Sequence, residues 1–364
     1  MVLARKDPVR IKDLAEHFGV SPSTVSRALS PKGRSLISAD LAARIRAKAE
    51  EMGYVGDVYA TGLRTGRTRT VGVIIPDIQN PIFPPIVRGI QNRMDEAGLV
   101  TLIAYSDNRI DLARREVERL LGRRVDGLIY ASAFLEDPVI DFCREQGVSL
   151  VLLNRSVRGA RGLYHEVLND EAEGIRQTVA HLASLGHRRI VHFNGPVDVL
   201  QGLERREALR RYVREYGLEA EECECTAFSR EEGARCARQF LSARPSATAI
   251  VAGNDLIAIG AVQVFKEAGL RVPDQVSVVG FNGMPFSEMF DPPLTTVAIP
   301  HVQLGARAAE ILLGEMQGES EGPLTVKLEP VLVARRSSGP APGGAVDDPP
   351  RATETSLKPS IPSS

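Results

Sequence analysis

Residues 21–30, SPSTVSRALS, set four serines, a threonine and an arginine around Val25, Ala28 and Leu29. Small hydroxyls at Ser21, Ser23, Thr24, Ser26 and Ser30 let a surface approach a polyanion closely and bond its phosphates or base edges. Arg27 can reach guanine with two parallel hydrogen bonds, a contact worth about 1–3 kcal/mol of base discrimination. A second polar set lies far along the chain: Asp77, Asn154, Arg155, Gln201, Asn254 and Asn282, with the aromatic Phe83. Amides and charges of that kind, converging, would offer donors and acceptors to a small polar molecule, although each amide could equally cap a turn or a helix.

The elements that must hold the first set are short helices. Ile11, Leu14, Ala15 and Phe18 fall at i, i+3, i+4 and i+7, and Gly19 ends that face. Ser21 caps a second helix whose first residue is Pro22, with Val25, Ala28 and Leu29 inward and Pro22, Ser23, Ser26, Arg27 and Ser30 outward. A third begins after Ser38 and carries Leu41, Ile45, Ala49 and Met52 along one stripe. Three short helices with a tight turn between the first two predict an all-α helix-turn-helix domain over residues 9–55. Residues 56–69, rich in glycine and arginine, read as a hinge.

From residue 70 onward, β-branched runs alternate with helical stretches. The runs include VGVII, VTLIAY, DGLIYA, SLVLLN, RIVHFN, AIVAGN and VSVVGFN, and the helices include residues 111–121, 173–185 and 255–268. That alternation predicts parallel α/β sheets with right-handed crossovers, and the number of strands predicts two lobes. Ligands in such sheets bind beyond the C-terminal strand ends, where Asp77, Ser106, Ser132, Asn154, Asn194, Asn254 and Asn282 fall.

Composition narrows the function classes. The net charge of −1 conceals an excess in the first 70 residues, 13 Lys+Arg against 7 Asp+Glu, which suits a polyanionic partner. No run approaches a membrane span, and the charged N-terminus MVLARKDPVRIKDLAEHF lacks the apolar core of a signal peptide, so a cytoplasmic protein with no membrane association is expected. The four cysteines, Cys143, Cys223, Cys225 and Cys236, are too few and too unevenly placed for a disulfide framework and are expected as buried thiols. They also lack paired CxxC spacing, and no metal or other cofactor is expected.

IKDLAEHFGVSPSTVSRALS and its continuation AEEMGYVGDVYATGLRTGRTRTVGVIIPD resemble the LacI family of bacterial transcription regulators. The segments PDIQNPIFPPIVRGI, RRVDGLIYA, LASLGHRRIVHFNGP, AIVAGNDLIAIGA, VPDQVSVVGFNGMP and PPLTTVAIP extend the resemblance to about residue 338. The resemblance implies a periplasmic-binding-protein-like effector core at residues 70–338. Its first lobe is expected at about 70–154 and 284–318, its second at about 155–283 and 319–338. It also implies that Pro22, Ser23 and Arg27 face bases and that Leu63 wedges into the minor groove of a pseudo-palindromic operator.

Asn254 matches an effector-bonding residue and Phe83 a pocket wall. The chain departs from the family at Ser30, usually Asn, and at Gly56, Thr61 and Gly62 in the hinge. In the core it has GFN instead of GFD at residues 280–282, and Gln201 stands where many members have arginine. These changes predict a polar metabolite other than a common neutral sugar.

The resemblance implies a homodimer, and repression is the common outcome for look-alikes. Residues 339–364, rich in Pro, Ser, Gly and Thr, are expected to be disordered and hold no leucine heptad for a tetramer. An α/β enzyme lacks support, since no GxGxxG, phosphate loop, GxSxG or HExxH occurs; His187, just past a helix end, suits a cap or surface role. A transport-type binding protein would need a signal peptide and have no use for residues 11–53.

Overall fold

The computed structural model describes residues 9–29, 37–54, 67–243 and 246–342. Ser30, residue 55, hinge residues 56–66 with Leu63, and residues 343–364 lie outside the described residues, and with them the expectations placed there. The chain divides into two compact units, Met1–Arg69 and Thr70–Ser364.

The first unit contains α1 (Ile11–Phe18), α2 (Pro22–Leu29) and α3 (Ala39–Glu51). Gly19 closes α1 in the left-handed conformation at φ 63°, which a residue without Cβ adopts at no steric cost. The Ser21 hydroxyl accepts from the Thr24 N–H at 3.2 Å and the Ser38 hydroxyl from the Leu41 N–H at 3.3 Å, so each cap satisfies a helix-start donor. Leu14, Ala15, Val25, Ala28, Ala42, Ile45 and Ala49 form the closed core, with Leu29 half-buried against it.

The second unit holds two six-stranded sheets. The first runs β11-β5-β4-β3-β1-β2, built from β1 (Thr70–Ile75), β2 (Val100–Tyr105), β3 (Gly127–Tyr130), β4 (Ser149–Leu153), β5 (His165–Asn169) and β11 (Thr325–Leu328), all parallel. The second runs β12-β10-β9-β8-β6-β7, from β6 (Arg189–Asn194), β7 (Glu219–Glu224), β8 (Ala249–Ala252), β9 (Ser277–Asn282), β10 (Thr295–Ala298) and β12 (Val331–Val333). Only the β10–β12 pair in it is antiparallel.

Helices cover the first sheet: α4 (Phe83–Glu96) and α11 (His301–Gln317) on one core, α5 (Ile110–Gly122) and α6 (Pro138–Glu145) on the other. The second sheet is covered by α7 (Glu171–Ser184), α8 (Leu200–Glu215), α9 (Arg230–Ala243) and α10 (Asp255–Glu267). Each lobe has one helix pair in backbone contact through reciprocal glycines. A Cβ on Gly89 would strike the Val302 carbonyl and one on Gly305 the Ile86 carbonyl; Gly233 and Gly260 stand likewise against Ile257 and Arg230.

The expected lobe boundaries need correction at all three changes of lobe. The chain stays in the first lobe past residue 154, because β5 pairs with β4 and is buried at all five positions. It crosses at Asp170, returns after β10 instead of at residue 284, and crosses a third time between β11 and β12. Polar-looking HEVLN hid β5; its side chains are buried because a sheet strand and helices enclose them on every side.

Two further expectations change. The Cys223 and Cys236 sulfurs are bonded, and Cys225 lies 3.5 Å from Cys236, because alternate residues of β7 face α9. Cys143 and Cys225 are buried free thiols, as expected of packing cysteines. Order also continues past residue 338: the Gly339 carbonyl meets His187 Nε2 at 3.0 Å and accepts from the Ser277 hydroxyl at 3.2 Å, and Ala341 N–H donates to the Leu185 carbonyl. His187 is accordingly a fully buried clamp on the C-terminal segment and not a surface residue.

Candidate functional site

On α2, Val25 and Ala28 turn inward, while Pro22, Ser23 and Arg27 are exposed and Thr24 and Ser26 half-buried. Ser21 sits at the exposed entrance, its hydroxyl 2.7 Å from that of Ser23 and 3.0 Å from that of Thr24. The outer face of the helix is therefore a thin layer of rotatable hydroxyls with one long cation. No carboxylate lies on α2 to repel a phosphate.

Between the two lobes of the second unit lies a cleft with about 330 Å³ of free space, open solvent included. Its wall combines Asn80, Ile82 and Phe83 at the start of α4, Asn154 and Arg155 after β4, and Gln201 and Arg205 from α8. Phe228 follows β7, and Asn254 and Asn282 stand at the ends of β8 and β9. Six of the seven residues proposed from sequence for a ligand thus meet around one space. Asp77 does not line it; its carboxylate accepts from the Gln79 N–H at 2.8 Å and fixes its own turn.

The amides do double work. Asn254 Oδ1 caps α10 by accepting from the Ile257 N–H at 2.9 Å, so the capping alternative holds for it as well. Asn154 adopts φ 61°, and its Oδ1 accepts from Asn169 Nδ2 at 3.1 Å. Gln201 Nε2 donates to the Asn154 carbonyl at 2.6 Å, a bond from one lobe to the other, and Gln201 Oε1 is buried without a partner among the described residues.

Ser106, Ser132 and Asn194, also picked out at strand ends, are fully buried but do not line the cavity. Their side-chain oxygens, and both polar atoms of Asn194, have no partner among the described residues.

Arg205 was missed. It is 3% exposed, pairs with Glu171 at 2.7 Å, donates to the Gly253 carbonyl and to Asn282 Oδ1 at 3.2 Å, and stacks on Phe281 with its charge 3.7 Å from the ring centre. The arginine expected at 201 therefore stands one helical turn later, and the pocket has not lost that charge. The pattern that could have found it is helical: Gln201, Arg205, Leu209 and Tyr212 share the buried face of α8.

Comparison with known proteins meets this architecture at both ends. Residues 10–57 match the model for bacterial regulatory proteins of the lacI family, and residues 179–338 match a periplasmic binding protein-like domain. The chain is 31% identical over 333 residues to the HTH-type transcriptional regulator DegA of Bacillus subtilis (strain 168), covering 91% of this chain and 98% of that protein. This chain belongs to the LacI family.

This LacI-family chain is also 29% identical to the ribose operon repressor of Halalkalibacterium halodurans, over 90% of its own length and 96% of the relative. Its structure is similar to that of the lac repressor dimer bound to operator and the anti-inducer ONPF, with a TM-score of 0.82 at 28% identity, covering 92% of this chain and all of the other. The family consists of DNA-binding transcriptional regulators, so the chain is a regulator and the enzyme reading falls.

Proposed function

We propose that this LacI-family protein is a homodimeric repressor of the cytoplasm, associated with the nucleoid. It reads a pseudo-palindromic operator with Ser21, Pro22, Ser23, Thr24, Ser26 and Arg27, joined by Ser30 and by Leu63 in the minor groove. Asn154, Arg155, Gln201, Asn254 and Asn282, with Phe83, hold a small polar metabolite, and Arg205 belongs with them. Closure of the lobes on that metabolite changes the separation of the two headpieces, on which operator affinity depends. No cofactor is needed.

The observation that carries this reading is the union, in one chain, of a hydroxyl-and-arginine face on α2 with a two-lobed core enclosing a polar cavity. Operator selection from random duplexes, followed by gel shift of Arg27→Ala at matched salt, tests the first half. Loss concentrated at one base pair, about 1–3 kcal/mol, supports base reading by Arg27; an equal loss on every sequence means that Arg27 touches phosphate alone. Failure to select any sequence would overturn the proposal.

A further inference from the structure

The wall of the cavity contains two arginines and no carboxylate. Arg205 is balanced by Glu171 at 2.7 Å, both side chains being 3% exposed. Arg155 has no such counterion. It is 7% exposed, its Nη2 donates to Asn108 Oδ1 at 2.8 Å, and its Nη1 is buried without a partner among the described residues. Asp198 and Asp77 act on it only through space, and burial draws its pKa down to about 10, which leaves it charged at neutral pH.

A buried guanidinium with no ion pair among the described residues is costly to hold, and an anion that brings two acceptor oxygens offsets that cost best. The rest of the wall agrees. Asn282 is an amide, so it offers an N–H donor and places no negative charge against an anion. Gln201 Oε1, buried and unpartnered, needs a donor such as a ligand hydroxyl.

We propose that the effector is a small acidic polyol, a sugar acid or a sugar phosphate, whose anionic group pairs with Arg155 and one of whose hydroxyls donates to Gln201. This assignment rests on the reading of the cleft as the effector site. Phe83, Phe228 and Ile82 supply the apolar walls against which the carbon skeleton packs.

The test is calorimetric titration of the full chain with D-gluconate, D-glucuronate and D-glucose 6-phosphate, each against D-glucose, with the selected operator duplex followed in parallel by gel shift. One of the acids is expected to bind at one site per chain at least tenfold more tightly than D-glucose and to change operator affinity. The gluconate and glucuronate arms separate a carboxylate ligand from a phosphate one. Arg155→Gln is expected to weaken that binding at least tenfold and Arg155→Lys to recover part of it.

Should Arg155→Gln fail to fold, Asn282→Asp puts a carboxylate on the wall and is expected to weaken the acid and leave D-glucose unaffected or improved. Binding of none of the acids, equal binding of D-glucose, or an acid indifferent to both substitutions overturns the assignment. D-glucose binding that changes operator affinity would overturn the acid and keep the effector reading. The regulatory reading fails by a separate result, the absence of any selected operator.

Discussion

Gln201 Nε2 lies 2.6 Å from the main-chain carbonyl of Asn154, and through that bond a helix of the second lobe holds the end of a strand of the first. A second bond across the same divide, from the Leu135 N–H to the Asp198 carbonyl at 2.8 Å, involves main chain only. Lys327 of β11 and Glu204 of α8 also pair across it at 3.6 Å, but both are partly exposed, whereas Gln201 is buried and can be replaced without unmaking either lobe. Gln201→Met keeps the bulk and removes both the cross-lobe donor and the Oε1 acceptor offered to the ligand. Two hydrogen bonds worth about 1 kcal/mol each predict a loss of roughly thirtyfold in effector affinity, read by calorimetry, with little change in unfolding midpoint.

The Arg205–Glu171 pair is buried on both sides. Arg205→Met leaves Glu171 charged and without its cation, a change that costs about 3–5 kcal/mol at buried pairs. The double variant Arg205→Met, Glu171→Leu should recover most of this. Urea unfolding of the two single variants and the double variant measures the coupling, and a double variant as unstable as Arg205→Met alone would show that packing around the arginine, and not its charge, decides.

His192 on β6 is fully buried, neither ring nitrogen has a partner among the described residues, and burial lowers its pKa to about 4. Glu222 opposes that shift, and Arg205, Arg206 and Arg210 reinforce it. The folded pKa lies below the unfolded value of 6.5, so this contribution is complete above pH 6.5 and is lost as pH falls toward 4. The loss amounts to roughly 3 kcal/mol. His192→Leu should flatten the acid limb of a stability profile measured in urea between pH 5 and 7.5.

Asp255 works in the other direction. Burial raises its pKa to about 7, against the Met284 N–H and Thr296 hydroxyl that donate to it. Its protonated form is favoured in the fold, so its contribution is present below pH 3.8 and lost as pH rises through 7. Asp255→Asn should therefore steepen the acid loss that His192 causes, and a profile unchanged by Asp255→Asn would refute the shift.

Gly260 touches the main chain of Arg230 where α9 and α10 cross. A Cβ there meets a carbonyl oxygen that cannot swing aside, so Gly260→Ala must push the helices apart. Overpacking of this kind costs about 1–3 kcal/mol, visible as a lower thermal midpoint.

The headpiece was legible almost to the residue, because Gly19, Ser21 and Ser38 each mark a helix end by local chemistry. The interior strands β1, β3, β4, β6, β8 and β9 were legible as apolar runs. β7 was not: EAEECE shows no alternation, and it forms a strand because it lies at a sheet edge where Arg210 and Arg206 pair with Glu222 and Glu224. Of the cavity, the residues at strand ends were readable because α/β topology gathers them in one place. Arg205 was hidden among the arginines of α8, and the exchange of strands between lobes depends on pairings distant in sequence.

The last two strands of the core go one to each lobe. The first lobe is complete only when synthesis has passed β11 and the second only when it has passed β12, whereas the three helices of the first unit have all their core partners by residue 54. On the ribosome the part that would grip DNA is finished first, and the part that would answer to a metabolite is finished last, its two lobes within a few residues of each other.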